Sequence, residues 1–338
     1  MRNFLFNIIL LACLGPLAAR SAESASETTL QAILLYQRDS GGWPKNVDYS
    51  EAFDPKKLLA DKKRTDSTFD NGATTEEMRL LAEAFSTTQK PVYREAFLRG
   101  LEFCLEAQYE NGGWPQRYPD KSGYHGQITF NDGAMIKVMS LLKEIASSPT
   151  YGFVDHLLRK RSAVAVEKGI ECILRCQIKV NGSPSVWCAQ HDRETFVPVK
   201  ARSYELPSFS GSESVGVVRF LMGIEQPSAQ IIESVMGAVH WFRAHEIKGI
   251  KVVKQTAPNT PKGYNKIVVK DASAHGLWAR FYDLKTAQPI FCSRDGIPQK
   301  QLSDISYERR NGYSWYGSAA GSLLKREFPA WQRRVKEL

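Results

Sequence analysis

Two short runs set a carboxylate beside an amide, just ahead of a glycine: Phe69-Asp70-Asn71-Gly72 and Phe130-Asn131-Asp132-Gly133. Each opens a stretch with helical periodicity, so Asp70 and Asp132 have two readings. They are helix caps, their oxygens accepting the orphan N–H groups of the first turn. Or the two carboxylates meet and hold a hard cation. Calcium suits the second reading, because it takes carboxylate and amide oxygens in loose geometry. A helix N-terminus disfavours a cation, so a metal site requires both carboxylates to point away from their own helices. A third run, Val199–Gly211, puts Arg202 where the first two put acids. Farther along stand Arg294 and then Arg309, Arg310, Tyr313 and Trp315 in one stretch. A guanidinium fork matches a carboxylate bidentately, which makes these arginines candidates for an acidic ligand. Pairing with a local acid such as Glu308 is the plainer alternative.

Other chemistries lack their residues. There is no Gly-x-Ser-x-Gly elbow, His-Glu-x-x-His, phosphate loop or Gly-x-Gly-x-x-Gly, and the six histidines have no metal spacing.

The elements that position these residues repeat. Trp43, Trp114 and Trp187 lie roughly 70 positions apart, each after an apolar helical stretch, a glutamine and a glycine-containing stop. After each comes a long loop and a second helix. Met78, Leu81, Ala82 and Phe85 recur at helical spacing, as do Met135, Val138, Met139 and Leu142. A weaker third member starts at Phe209, and a further helix spans Ser228–Glu246. Strand-like runs come only later, as IKVVK, KIVVKD and FYDL. Helical hairpins of this length must stack to bury their faces. Three of them closing into a ring predict a mainly α chain, an (α/α)3 toroid with a smaller C-terminal part of short β-strands. The loops after the tryptophans then share one rim, and Asp70, Asp132 and Arg202 gather there.

The chain of 338 residues is 43% hydrophobic, enough for one large domain or two small ones. Its formal net charge is +9 and its pI about 9.2, which points to an anionic partner. Nucleic-acid motifs are missing, and an acidic polysaccharide fits better. Residues 1–21 read as a cleaved signal peptide: Arg2, a short apolar run, then small residues. The expected compartment is periplasmic or secreted; anchoring through Cys13 as a lipoprotein is the weaker reading. No later run is apolar enough to span a membrane. Five cysteines remain, an odd number without a Cys-x-x-Cys pair, read as buried thiols with at most one disulfide and no zinc site.

In order along the chain, GGWPKN, FDNGATT, NGGWPQRYP, ITFNDGAM, WCAQHD, ARSYELPS, SRDG and ERRNGYSWYG resemble the pectate lyases of polysaccharide lyase family ten, from about Thr29 to Leu323. The resemblance implies one catalytic domain over 22–338, a monomer, and calcium-dependent β-elimination of polygalacturonate. It implies Arg202 as Brønsted base, Asp70 and Asp132 at the metal and substrate centre, and Lys45, Asn71, Arg294, Arg309, Arg310 and Tyr313 on the substrate. Two other classes stay open. One is an inverting glycoside hydrolase using Asp70 and Asp132 as acid and base. The other is a protein that grips anionic glycans without chemistry.

Overall fold

The computed structural model describes residues 25–337; the signal peptide and Cys13 lie outside them. The helices are α1 (Glu27–Tyr36), α2 (Pro55–Ala60), α3 (Thr75–Thr88), α4 (Pro91–Glu106), α5 (Ala134–Ser147), α6 (His156–Cys176), α7 (Glu213–Met222), α8 (Ala229–Ala244), α9 (Tyr307–Gly312), α10 (Ala319–Ser322) and α11 (Phe328–Lys336). The predicted apolar stripes are the buried ones: Met135, Val138, Met139 and Leu142 of α5 are fully enclosed, as are Met78 and Leu81 of α3. Local chemistry sets the ends. Asp155 caps α6 through Leu158 N and Ser228 caps α8 through Ile231 N. Pro91 opens α4 two residues after Gln89 closes α3 in a left-handed conformation.

The architecture is three helical hairpins in two layers. Antiparallel partners are α3 with α4, α5 with α6, and α7 with α8. The tightest pairs therefore flank the short connections, whereas the sequence suggested pairing across the long loops. α3, α5 and α7 pack side by side as one layer, and α4, α6 and α8 as the other. The strands are short apart from an antiparallel ribbon, Ile250–Thr256 with Tyr264–Lys270. Among the described residues, no helix is long and apolar enough to cross a membrane.

Each corner is held by the same polar clamp. The indole N–H of Trp43, Trp114 and Trp187 donates to the carbonyl of Ile33, Cys104 and Ile173, at 2.7, 2.8 and 2.7 Å. The carboxamides of Gln37, Gln108 and Gln177 each donate twice, to the turn (Gly41, Gly112, Ser185) and to the next outer helix (Ala96, Ala165, Ser234). The first glycine of the Gly-Gly pair is forced. Gly41 and Gly112 sit at φ +95 and +90, and an added Cβ would lie 2.4 and 2.0 Å from a carbonyl oxygen of the neighbouring helix. Gln37→Leu leaves the Gly41 carbonyl without its donor and takes a second bond from Ala96, whose carbonyl keeps its helical bond within α4. It should cost about 1–3 kcal/mol, read as a lower denaturation midpoint at unchanged slope; an unchanged midpoint would remove the clamp from the account.

The indole bond of this clamp occurs a fourth time. Trp278 donates to Phe242 O at 2.8 Å, although 36 positions separate them, because the ribbon is inserted between α8 and its tryptophan. The corners are also stitched in sequence. Thr68 bridges Arg117, Ile128–Thr129 pairs with Gln190–His191, and Ser208–Ser210 pairs with Phe281–Asp283. Each stretch before a corner helix thus pairs with the segment just after the next tryptophan, which draws all four loops to one rim.

Candidate active site

At the first two corners the acid and amide exchange places. Asp70 and Asn131 occupy the buried position. Asn71 and Asp132 occupy the next one, at φ 55 and 49, a left-handed conformation that Asn and Asp tolerate. Neither carboxylate caps its helix. Asp70 Oδ2 accepts from the Lys45 ammonium, while its buried Oδ1 has no partner. Asn71 donates to Asn46 at 3.0 Å and faces solvent. Asp132 accepts from Asn131 at 2.8 Å and, through Oδ1, from Arg280 at 3.0 Å.

Arg280 is the residue that sequence reading missed. Its Nη2 also reaches Asn131 Oδ1 at 3.2 Å and the buried carboxylate of Glu213 on α7. The guanidinium lies 4.7 Å from the Tyr313 ring centroid. Burial opposes its charge, but Glu213, Tyr313 and Asp132 outweigh that and hold it protonated. The signal was present: Arg280 stands two positions after Trp278, as Lys45 stands two after Trp43.

Tyr313 joins this cluster to Arg202. Its hydroxyl donates to Glu205 at 2.7 Å. Glu205, also unforeseen, takes Arg202 Nε at 2.7 Å, the Arg202 backbone N–H at 3.1 Å, and Arg202 Nη2. Burial works against the Arg202 charge, yet this clamp raises its pKa above the ordinary arginine value. Glu205 is shifted the other way: burial would raise it, and Arg202 and Tyr313 pull it below the usual carboxylate range. The Tyr313 ring lies near both Arg202 and Arg280, which holds Asp132, and the first corner packs on the second. Asp70, Asp132 and Arg202 therefore occupy one rim.

The two adjacent arginines part company. Arg309 is buried, pairs with Glu308, and lies 4.5 Å from the Tyr204 ring. Arg294 reaches the same Glu308 at 3.0 Å and the same ring at 5.7 Å. Arg309 and then Arg294 hold the Glu308 carboxyl at about 2. Arg310 turns away. It binds Asn265 Oδ1 at 2.9 Å and the carbonyls of Ser303 and Ile305 at 2.8 and 2.7 Å. The geometry brings Arg309 and Arg294 to the aromatic cluster and leaves Arg310 outside it.

Two other sequence features are structural. His191 is buried between Cys188 N and Phe196 O, and burial lowers its pKa to about 4. All five described cysteines are buried and free. No group of three His, Cys, Asp or Glu side chains poised for a metal occurs among the described residues.

Residues 37–324 match the family model described as pectic acid lyase. A solved family 10 polysaccharide lyase from Cellvibrio cellulosa is 35% identical with TM-score 0.79, covering 94% of this chain and 94% of that one. A mutant of a family 10 polysaccharide lyase from the same organism, in complex with trigalacturonic acid, is 36% identical with TM-score 0.80, covering 91% of this chain and 93% of that one. Comparison with curated proteins gives no match. A mainly helical fold, a charged rim and these similarities define a polysaccharide lyase. The chain belongs to the pectic acid lyase family.

Proposed function

We propose that this protein cleaves polygalacturonate by calcium-assisted β-elimination, with Arg202 as the base. The observation that carries the reading is the line of alternating charge from Asp132 through Arg280, Tyr313 and Glu205 to Arg202, flanked by Arg309 and Arg294. The relative in complex with trigalacturonic acid supports the substrate.

Asp70 Oδ1 is a buried acceptor without a donor, and Asp132 is about a third exposed and does not cap its own helix. A hard cation would take these two carboxylates in exchange for Lys45 on Asp70 and beside Arg280 on Asp132, and would complete its shell with water and ligand oxygens. Calcium held there would act as a Lewis acid on a uronate carboxylate, making the C5 proton more acidic. The chain's own residues do the rest. Arg309 and Arg294, supported on Tyr204, hold Glu308 with their Nε and Nη2 atoms, and a substrate carboxylate would take their forks by exchanging with it. Arg280, fixed by Glu213, supplies positive charge where negative charge develops. Arg202, once it has given up a proton to solvent, takes the C5 proton and is charged again, the C5 electron pair forms the C4–C5 double bond, and the C4–O bond breaks with water protonating the leaving oxygen.

The base role meets a specific obstacle, because Glu205 favours the charged guanidinium. The cations around Tyr313 act in the opposite sense: Arg202 and Arg280 share its ring, and Arg202 and Arg309 repel each other. Activity should vanish in excess chelator and return with calcium, and Asp132→Asn should raise the calcium needed for half-activity. Full activity in chelator would remove the metal from the mechanism.

A further inference from the structure

We propose a second anion site, away from the Arg202 rim, that binds a uronate unit between the β-ribbon and the segment 300–316. Two adjoining hollows of about 380 Å³ each share Lys266, Leu302, Arg310 and Tyr316 as walls. That volume suits a small ligand. One hollow adds Lys300, and the other is closed by Tyr313 and Trp315. None of the described residues lining either hollow is an acid.

Isolated surface lysines are ordinarily solvated and mean nothing. Here the central cation is built in. Arg310 is aimed by Asn265, Ser303 and Ile305, three neutral acceptors that orient it without cancelling its charge. Lys266 is pinned by its bond to Tyr313 O at 3.0 Å. It is partly desolvated and repelled by Lys262 and Lys254, which push its pKa down. Lys251 also lines the first hollow, but Asp271 neutralises it at 2.8 Å. Preorganised cations without internal counter-charges favour an anion, and with Nε and Nη1 of Arg310 bound to the protein its Nη2 is the amino group that would donate to it. Half-buried Tyr316 gives a pyranose ring an apolar face. The carboxylate sugar as ligand class rests on the proposed substrate; the anion site itself does not. Tyr313 is the shared wall, its hydroxyl on Glu205 at the rim and its carbonyl on Lys266 here.

The test titrates trigalacturonic acid into Arg202→Lys protein in chelator, by calorimetry. Two classes of site are expected. Adding Lys266→Gln and Lys300→Gln should weaken one class at least about tenfold, as losing charge-assisted bonds does, and leave the other. Lys300→Gln alone alters an exposed side chain, so a fold defect is not at issue; it should weaken the same class severalfold. Methyl-esterified trigalacturonate should not fill the second site. One class of site, or identical titrations with and without the lysines, overturns the proposal. In otherwise wild-type protein, a raised KM on long polygalacturonate for the lysine variants would put the substrate chain itself across the hollow. Unchanged KM with lost binding would make the occupant a separate chain; both outcomes uphold a uronate site. Absence of unsaturated product from the wild type, with both site classes intact, would sink the lyase mechanism and spare this site.

Discussion

Arg202→Lys should lower turnover on polygalacturonate at least about a hundredfold, with KM changed little. A positioned base contributes about 10²–10⁴ in rate, and an interaction made only in the transition state is lost from kcat rather than from binding. Lysine keeps the charge, but it cannot reproduce the planar two-nitrogen contact by which Nε and Nη2 of Arg202 grip Glu205. A companion variant separates the base from its clamp. Glu205→Gln removes the carboxylate that raises the Arg202 pKa, so the acid limb of the pH–rate profile should move to lower pH. Near wild-type turnover in Arg202→Lys would demote Arg202 to a surface charge. An acid limb that stays in place in Glu205→Gln would mean that another group is the base.

Arg280→Met should destabilise the fold by about 3–5 kcal/mol, the usual cost of leaving a buried charge without its partner. Glu213 is almost wholly enclosed and receives Arg280 and Ser210; without Arg280 it keeps only the hydroxyl. Asp132, a third exposed, can turn to water and should suffer less. Arg280→Met combined with Glu213→Gln should therefore be milder than Arg280→Met alone, a non-additivity expected of groups in direct contact. Denaturant midpoints of the single and double variants measure it. Equal losses in both would show that Glu213 is not the group being neutralised.

The contrast between Arg202 and Arg280 explains what the chain disclosed before its structure. Asp70, Asp132 and Arg202 follow tryptophans whose clamps are local: ten positions separate Trp43 from Ile33 and Trp114 from Cys104. Gln, Gly and Trp therefore recur at visible spacing, and the helices and the equivalent corners between them were legible, whereas the pairing of helices across the short connections was not. The fourth clamp uses the same indole bond, but the ribbon insertion stretches it to 36 positions, and periodicity does not survive that. Arg309 and Arg310 were inseparable for a different reason. Neighbours on a helix point about 100° apart, and only the docking of α9 decides which one meets Tyr204. Glu205 was hidden because an acid three residues from an arginine reads as an ordinary surface pair. Burial and the Tyr313 hydroxyl, contributed from a segment 108 positions away, make it the clamp on the proposed base.

The central claim is elimination, and the product decides it. Polygalacturonate incubated with the enzyme and calcium should yield oligosaccharides whose ultraviolet absorbance rises in step with new reducing ends, because each cleavage leaves one C4–C5 double bond conjugated to the C6 carboxylate. Reducing ends accumulating with no rise in absorbance would mean that water, not elimination, breaks the chain, with Asp70 and Asp132 as a hydrolase's acid and base.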